Sequence, residues 1–300
     1  MPIDLTKIPE LLKEAAASSN LVPFIGAGIS RQAKTKGTKP LPTWKDFIVE
    51  LKDLARDEDN LSPEEEAQID ELVENGKFLM AAQALKEMIQ ENKLYLFIEK
   101  RFTSTDAEPG PLHHALFKLR PHLIMTTNYD LLLENAYAKE YGKVASLVTP
   151  KDSFKVQQVL KSYHQWIDRP TIFKIHGTAS EPKEIVFAEK DYRKLIYGDP
   201  GYRAVLSAVF VTKVVLMLGF SFSDPEITMV LQTLREGFRE RSTPDFIVLR
   251  QGVKKRIEKN RLSKDFGLEV IEYTPSEGEP ELLELVEYLA TFAPVKSVKV

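Results

Sequence analysis

Four short turns hold the residues of this chain best suited to chemistry: Gly26-Ala27-Gly28-Ile29-Ser30, Thr126-Thr127-Asn128-Tyr129-Asp130, His176-Gly177, and Gly219-Phe220-Ser221-Phe222-Ser223-Asp224. Each follows directly on an apolar run. In the first, the glycines let the main chain approach a pyrophosphate, and a helix starting there would aim free amides at it; a plain tight turn is the competing reading. In the second, asparagine and aspartate either satisfy free amides at a helix start or orient a ribose hydroxyl or a water. His176 is either a hydrogen-bonded structural residue or a base, because a neutral imidazole takes up a proton readily near pH 7. Gly219 permits close approach, Ser221 and Ser223 supply hydroxyls, and Asp224-Pro225 marks a helix start.

These turns need elements to position them. Apolar runs at 21–25, 123–126, 171–175, 213–218, 246–249 and 268–273 have the length and branched character of buried strands, and helical patterns lie between most of them. That alternation predicts an α/β fold, a doubly wound Rossmann-like parallel sheet whose ligand site lies beyond the carboxyl ends of the strands. All four turns fall at such ends. Residues 42–102 break the alternation and predict a helical insertion, so the expected organisation is a single domain over 1–300, with a core at about 18–41 and 106–300 and an insertion at about 42–105. Ser62 before Pro63, Glu64 and Glu65 is a helix-start signal, and Phe78, Ala81, Ala82, Leu85 and Met88 share one helical face. Residues 31–40, polar and basic, are expected to form a mobile loop. Its Arg31, Lys34, Lys36 and Lys39 are either solvated or able to close over a phosphate-bearing ligand.

Composition excludes several functions. Forty-one basic against 44 acidic side chains leave a net charge of −3, which gives no drive toward a nucleic-acid backbone. With no cysteine there is no disulfide, thiolate nucleophile or thiolate metal site, and the five histidines form no zinc pattern, so no metal is expected. No apolar run approaches the roughly 20 residues that cross a bilayer. The opening 20 residues read as an amphipathic helix without the basic start and apolar centre of a signal peptide, which predicts a cytoplasmic protein.

Taken together and in this order, the four turns resemble the sirtuin family, and more closely its bacterial, defence-associated branch than the protein deacetylases. Gly26 to Ser30 is similar to the family's G-A-G-x-S loop, Thr126 to Asp130 to T-x-N-x-D, His176-Gly177 to H-G, and Gly219 to Ser221 to G-x-S. The resemblance implies that Gly26, Ala27, Gly28, Ser30, Thr127, Gly219 and Ser221 hold NAD, and that Asn128 and Asp130 line its nicotinamide-ribose pocket. His176 would be the general base, with Asn128 and His176 the catalytic pair. The four-cysteine zinc module of the deacylating members is absent, and a helical insertion stands in its place. The implied activity is therefore NAD hydrolysis to nicotinamide and ADP-ribose, in the effector of an antiphage system that depletes cellular NAD. A zinc-free NAD-dependent deacylase and a non-catalytic NAD or ADP-ribose sensor are the alternatives. The branch further implies gating by a homo-oligomer, by an ATPase of the hexameric translocase type or by an Argonaute-like partner. The N-terminal helix and a helix over 281–292 are the expected contact elements.

Overall fold

The computed structural model describes residues 3–36, 39–58, 60–104, 106–152, 155, 158, 169–220, 222, 225–238, 243–276 and 279–294. In chain order the strands are β1 Leu21–Ile25, β2 Lys34–Thr35, β3 Ala107–Glu108, β4 Leu123–Thr126, β5 Ser146–Val148, β6 Thr171–Lys174, β7 Val214–Leu218, β8 Asp245–Arg250 and β9 Leu268–Tyr273. Seven of them form one sheet in the order β5-β6-β4-β1-β7-β8-β9, with every neighbouring pair parallel. The chain steps from β1 to one side through β4, β5 and β6, then crosses to the other side at β7. This reversal beside β1 is the switch point where an open α/β sheet exposes a crevice.

The described helices are α1 Glu10–Ala17, α2 Ala27–Ser30, α3 Trp44–Asp57, α4 Pro63–Glu74, α5 Phe78–Met88, α6 Glu91–Phe102, α7 Pro111–Lys118, α8 Leu132–Tyr141, α9 Glu189–Gly198, α10 Pro200–Thr212, α11 Pro225–Gly237, α12 Arg256–Phe266 and α13 Pro280–Ala290. Strand side chains alternate between the two faces of the sheet. Val22, Phe24, Val215 and Met217 join one core with Leu206, Val209 and Phe210 of α10. Leu21, Ile25, Leu216 and Leu218 join the other with Leu116 of α7 and Leu285 of α13. Both faces are therefore covered, which is why these strands read as continuous apolar runs. Pro23 of β1 has no N–H to donate, and the β4 ladder begins just beyond it, at Phe24 opposite Met125.

Helices α3 to α6 carry a third core, built on Phe47, Leu51, Ala81, Ala82 and Leu85. The expected Ser62 signal is a complete capping box, with the hydroxyl accepting from Glu65 N and the Glu65 carboxylate accepting from Ser62 N at 2.9 Å. This block meets the sheet through Tyr129, whose ring lies 5.3 Å from Phe102 and 6.3 Å from Phe47.

The structure corrects one expectation and adds to others. Residues 31–40 are not simply a loop: β2 pairs antiparallel with β3, Lys36 bonds Glu108 at 2.7 Å, and Arg31 lies 3.6 Å from Asp46. Two of the four basic side chains thus already face acids. The terminal helices each pack one face into the sheet's core, through Leu12, Ala15 and Ala16 of α1 and Leu282, Leu285, Val286 and Leu289 of α13, while Glu10 and Glu14 of α1 and Glu284 and Glu287 of α13 stay exposed. Edge strand β5 escaped the sequence reading because three residues, Ser146, Leu147 and Val148, are too few to show a period.

Candidate active site

The sheet order gathers what the sequence scatters. His176 follows β6, Asn128 follows β4, Gly26 follows β1 and Gly219 follows β7, and these four strands are adjacent and parallel. All four turns therefore sit on one edge of the sheet, in that spatial order. At about 4.8 Å per strand the row spans roughly 14 Å.

At the β1/β7 switch point the two glycine turns are zipped to each other. Gly26 N donates to Leu218 O at 2.9 Å, and Gly28 N donates to Gly219 O at 3.0 Å. A Cβ on Gly26 would lie 2.5 Å from Gly219 O, and one on Gly219, whose φ is +66°, would lie 2.7 Å from Ile29 N. The glycines do permit close approach, but what each approaches is the other turn: Gly26 and Gly28 face Gly219, and Gly219 faces Ile29. Ala27 opens the four-residue α2, with Gly26 as its N-cap. Ser221, Ser223 and Asp224 lie outside the described residues.

The β4 turn is held by a directional relay. Asn128 Nδ2 donates to Gly26 O at 3.1 Å and to Ser30 Oγ at 2.8 Å, and Ser30 Oγ donates to Asp130 Oδ2 at 2.6 Å. A carbonyl and a carboxylate only accept, so every proton in the relay is assigned and the Asn128 amide has a single orientation. Its Oδ1 is thereby turned away from Gly26 and Ser30, and it is buried without a hydrogen-bond partner among the described residues. Such an acceptor suits a ribose hydroxyl or a water. Asp130 Oδ1 accepts from Leu132 N at 3.0 Å, so this residue, just before the N-cap Leu131, both satisfies the first amide of α8 and anchors the relay. Asn128 caps no helix, and Ser30 ties α2 to the β4 turn. Thr127, half-buried, donates its N–H to Ile25 O at 3.2 Å.

His176 is 2% exposed, and its ring sits edge-on to Tyr192 of α9 with centroids 5.0 Å apart; Nδ1 lies 3.4 Å from the Tyr192 hydroxyl. Its carbonyl accepts from Val186 N at 2.9 Å. The sequence reading missed Tyr192, Tyr129 and Lys174. Tyr129, between Asn128 and Asp130, donates its hydroxyl to Val186 O at 2.8 Å, so one residue anchors the turn to the segment that also holds His176. Lys174 carried a usable signal, a cation inside an otherwise apolar strand. Among the described residues no group of three or more His, Asp or Glu side chains could hold a metal.

A second histidine stands behind the relay. Burial pushes the His113 imidazole down to about 4, against the opposing pull of the Asp130 carboxylate. Its Nδ1 accepts from Gly110 N at 3.1 Å. A folded-state value below the unfolded one means that the unfolded chain binds the extra proton, so stability is complete above about pH 6.5 and declines as pH falls toward 4. Urea denaturation at about pH 7 and pH 4.5 should show His113→Asn losing clearly less stability on acidification than wild type. Equal losses in the two proteins would contradict this origin.

A doubly wound parallel sheet with these four strand-end turns defines a Rossmann-like α/β protein of the sirtuin type. Residues 122–271, half of the chain, match the family model described as a SIR2-like domain, and the chain belongs to that family. It is 31% identical over 144 residues to the NAD(+) hydrolase ThsA of Acinetobacter baumannii, an alignment covering 48% of this chain and 28% of that protein. A longer alignment, 281 residues at 25% identity, covers 94% of this chain and 51% of the NAD(+) hydrolase ThsA of Cytobacillus dafuensis. Defense-associated sirtuin 2 of Bacillus subtilis is 24% identical over 238 residues, covering 76% of this chain and 21% of the relative. The chain thus spans between about a fifth and a half of the length of these relatives.

Proposed function

We propose that this chain is a metal-independent NAD hydrolase that cleaves the nicotinamide–ribose bond at the row of strand ends, as a single domain with a helical insertion. The observation that carries the reading is the buried, unpartnered Asn128 Oδ1, fixed in direction by Ser30 and Asp130 one strand away from His176. The relatives, two named NAD(+) hydrolases and a defence-associated sirtuin, support the substrate. NAD's pyrophosphate would lie along Gly26, Ala27, Gly28, Gly219 and Ser221, with Thr127 and Asp130 beside the nicotinamide ribose.

In the reaction a water oxygen bonds to the ribose C1′ as the C1′–N bond breaks, and its electron pair returns to the pyridinium ring. Neutral nicotinamide leaves. Asn128 Oδ1 accepts from the ribose hydroxyl or the attacking water, and His176 takes the water's proton. Burial of His176 and Asp130 keeps bulk water from these bonds, and electrostatic stabilisation is strongest in such a place. Without a zinc module to wall a peptide groove, water rather than an acyl-lysine is the acceptor.

A free-running NAD hydrolase would exhaust its own cell, so the activity is gated, most simply by self-assembly and otherwise by a partner in a cytoplasmic antiphage response. NAD loss should be assayed across protein concentrations, with light scattering for size and with and without an acylated peptide. Expected are turnover that needs no peptide and a rate per molecule that changes with assembly state. A strict peptide requirement would overturn hydrolysis, and a monomer of constant specific activity would overturn gating by assembly.

A further inference from the structure

We propose that Lys174 is a positioning residue for NAD cleavage: its buried ammonium clamps the backbone of the Asn128–Asp130 turn to the strand that delivers His176. The proposal rests on the reading of Asn128 and His176 given above. Lys174 is 0% exposed and ends β6, two residues before His176, opposite Thr126 of β4 in the ladder. Its side chain shares a sheet face with Ile172, the face that α8 covers.

Four oxygens surround Nζ. It donates to Tyr129 O at 3.2 Å, to Asp130 O at short range, and to Thr178 Oγ1 at 3.3 Å, and it lies 2.7 Å from Glu134 Oε1 of α8. Two of these partners are the carbonyls of the residues directly following Asn128. A third, Thr178, lies two residues beyond His176. Ala179 N also donates to Tyr129 O at 2.9 Å, so main chain and lysine grip the same carbonyl. One cation thus touches both segments that carry the proposed catalytic pair, as well as the first turn of α8.

Fold stability gives little reason for a charge here. A buried ion pair costs desolvation of both ions, and apolar residues of similar size in its place are often neutral or stabilising. Burial raises the Glu134 carboxyl from its ordinary value although Lys174 opposes that shift. What an apolar side chain lacks is three N–H donors to aim at oxygens on separate segments. Displacement of a catalytic group by about 1 Å can cost on the order of 10²-fold in rate, and the clamp prevents such a displacement.

The test removes both charges in Lys174→Met/Glu134→Gln, so that no buried carboxylate is stranded. Expected is a folded protein whose kcat for NAD falls by roughly 10- to 100-fold while KM changes little, with faster amide exchange across residues 127–131. Because the chain has no cysteine, Lys174→Cys in the Glu134→Gln background offers a rescue that strands no carboxylate. Alkylated in denaturant with 2-bromoethylamine and refolded, it regains an ammonium at nearly lysine length, whereas 1-bromopropane supplies the chain without the charge. The aminoethyl form should recover most of kcat and the propyl form should not. Wild-type kcat per folded molecule in the double variant, or equal activity of the two alkylated forms, would overturn the proposal. So would failure of both altered proteins to fold when wild type refolds, since Lys174 would then be structural. If wild type releases no nicotinamide, the hydrolase reading fails by itself, and amide exchange of 127–131 still decides the clamp: faster supports it, unchanged overturns it.

Discussion

Asn128→Ala and His176→Ala are each expected to lower NAD cleavage by about 10²- to 10⁴-fold in a protein that remains folded. For Asn128 the loss has two parts. The Oδ1 acceptor disappears, and the Nδ2 bonds to Gly26 O and Ser30 Oγ go with it, so the β1 and β4 turns lose a side-chain link. The stability cost is that of leaving a partly buried acceptor unpaired, about 1–3 kcal/mol, which a domain of this size tolerates. For His176 the loss is the proton acceptor, while Tyr192 keeps its place in the core beside Leu195 and Ile196. Steady-state rates per folded molecule, with melting curves on the same samples, check both. Near wild-type cleavage by either variant would remove that residue from the mechanism, and a collapse of folding with normal residual activity would make it structural.

The second large effect is expected at the switch point. Gly219→Ala must accommodate a side chain at φ +66° with its Cβ 2.7 Å from both Ile29 N and Ile29 Cγ1. Left-handed backbone costs a non-glycine residue about 1–2 kcal/mol, and overpacking adds about 1–3 kcal/mol. The strain falls on the contact between the β7 turn and the Gly26–Ser30 turn, and Ser30 is the middle of the relay that orients Asn128. The variant should therefore lose both stability and activity. Gly142→Ala is the matched control, with φ +61° and nothing within 4 Å of its added Cβ. It should cost only the backbone term of about 1–2 kcal/mol and leave turnover unchanged. Equal behaviour of the two variants in melting and in NAD turnover would contradict the account of the glycine contact.

How much of this was legible in the sequence follows from the range of each signal. The central strands were readable because both faces of the sheet are covered, so Leu123 to Met125 and Val214 to Leu218 are apolar without interruption. Strand ends were readable because glycine, asparagine and histidine interrupt those runs abruptly. What local pattern could not give was which turns touch. That Asn128 bonds to Gly26 and Ser30, about 100 residues earlier, follows only from the β1–β4 pairing. The meaning of Gly26 and Gly28 changed for the same reason, since their closest neighbour is Gly219. Lys174 was visible as a charge in an apolar run, but its four oxygens come from a turn, a loop and a helix that meet only in the folded sheet. The 31–40 segment was misjudged because two-residue strands have no period of their own, and Lys34 and Thr35 pair with residues more than 70 positions away.

The most direct test is chromatographic separation of the products formed when purified protein is incubated with NAD, at concentrations where it assembles and without any peptide, beside Asn128→Ala and His176→Ala. Expected are nicotinamide and ADP-ribose in equal amounts from wild type, and at least about 100-fold less of both from either variant in the same time. Intact NAD from wild type under every condition of concentration and assembly, or nicotinamide released only when an acylated peptide is present, would contradict it.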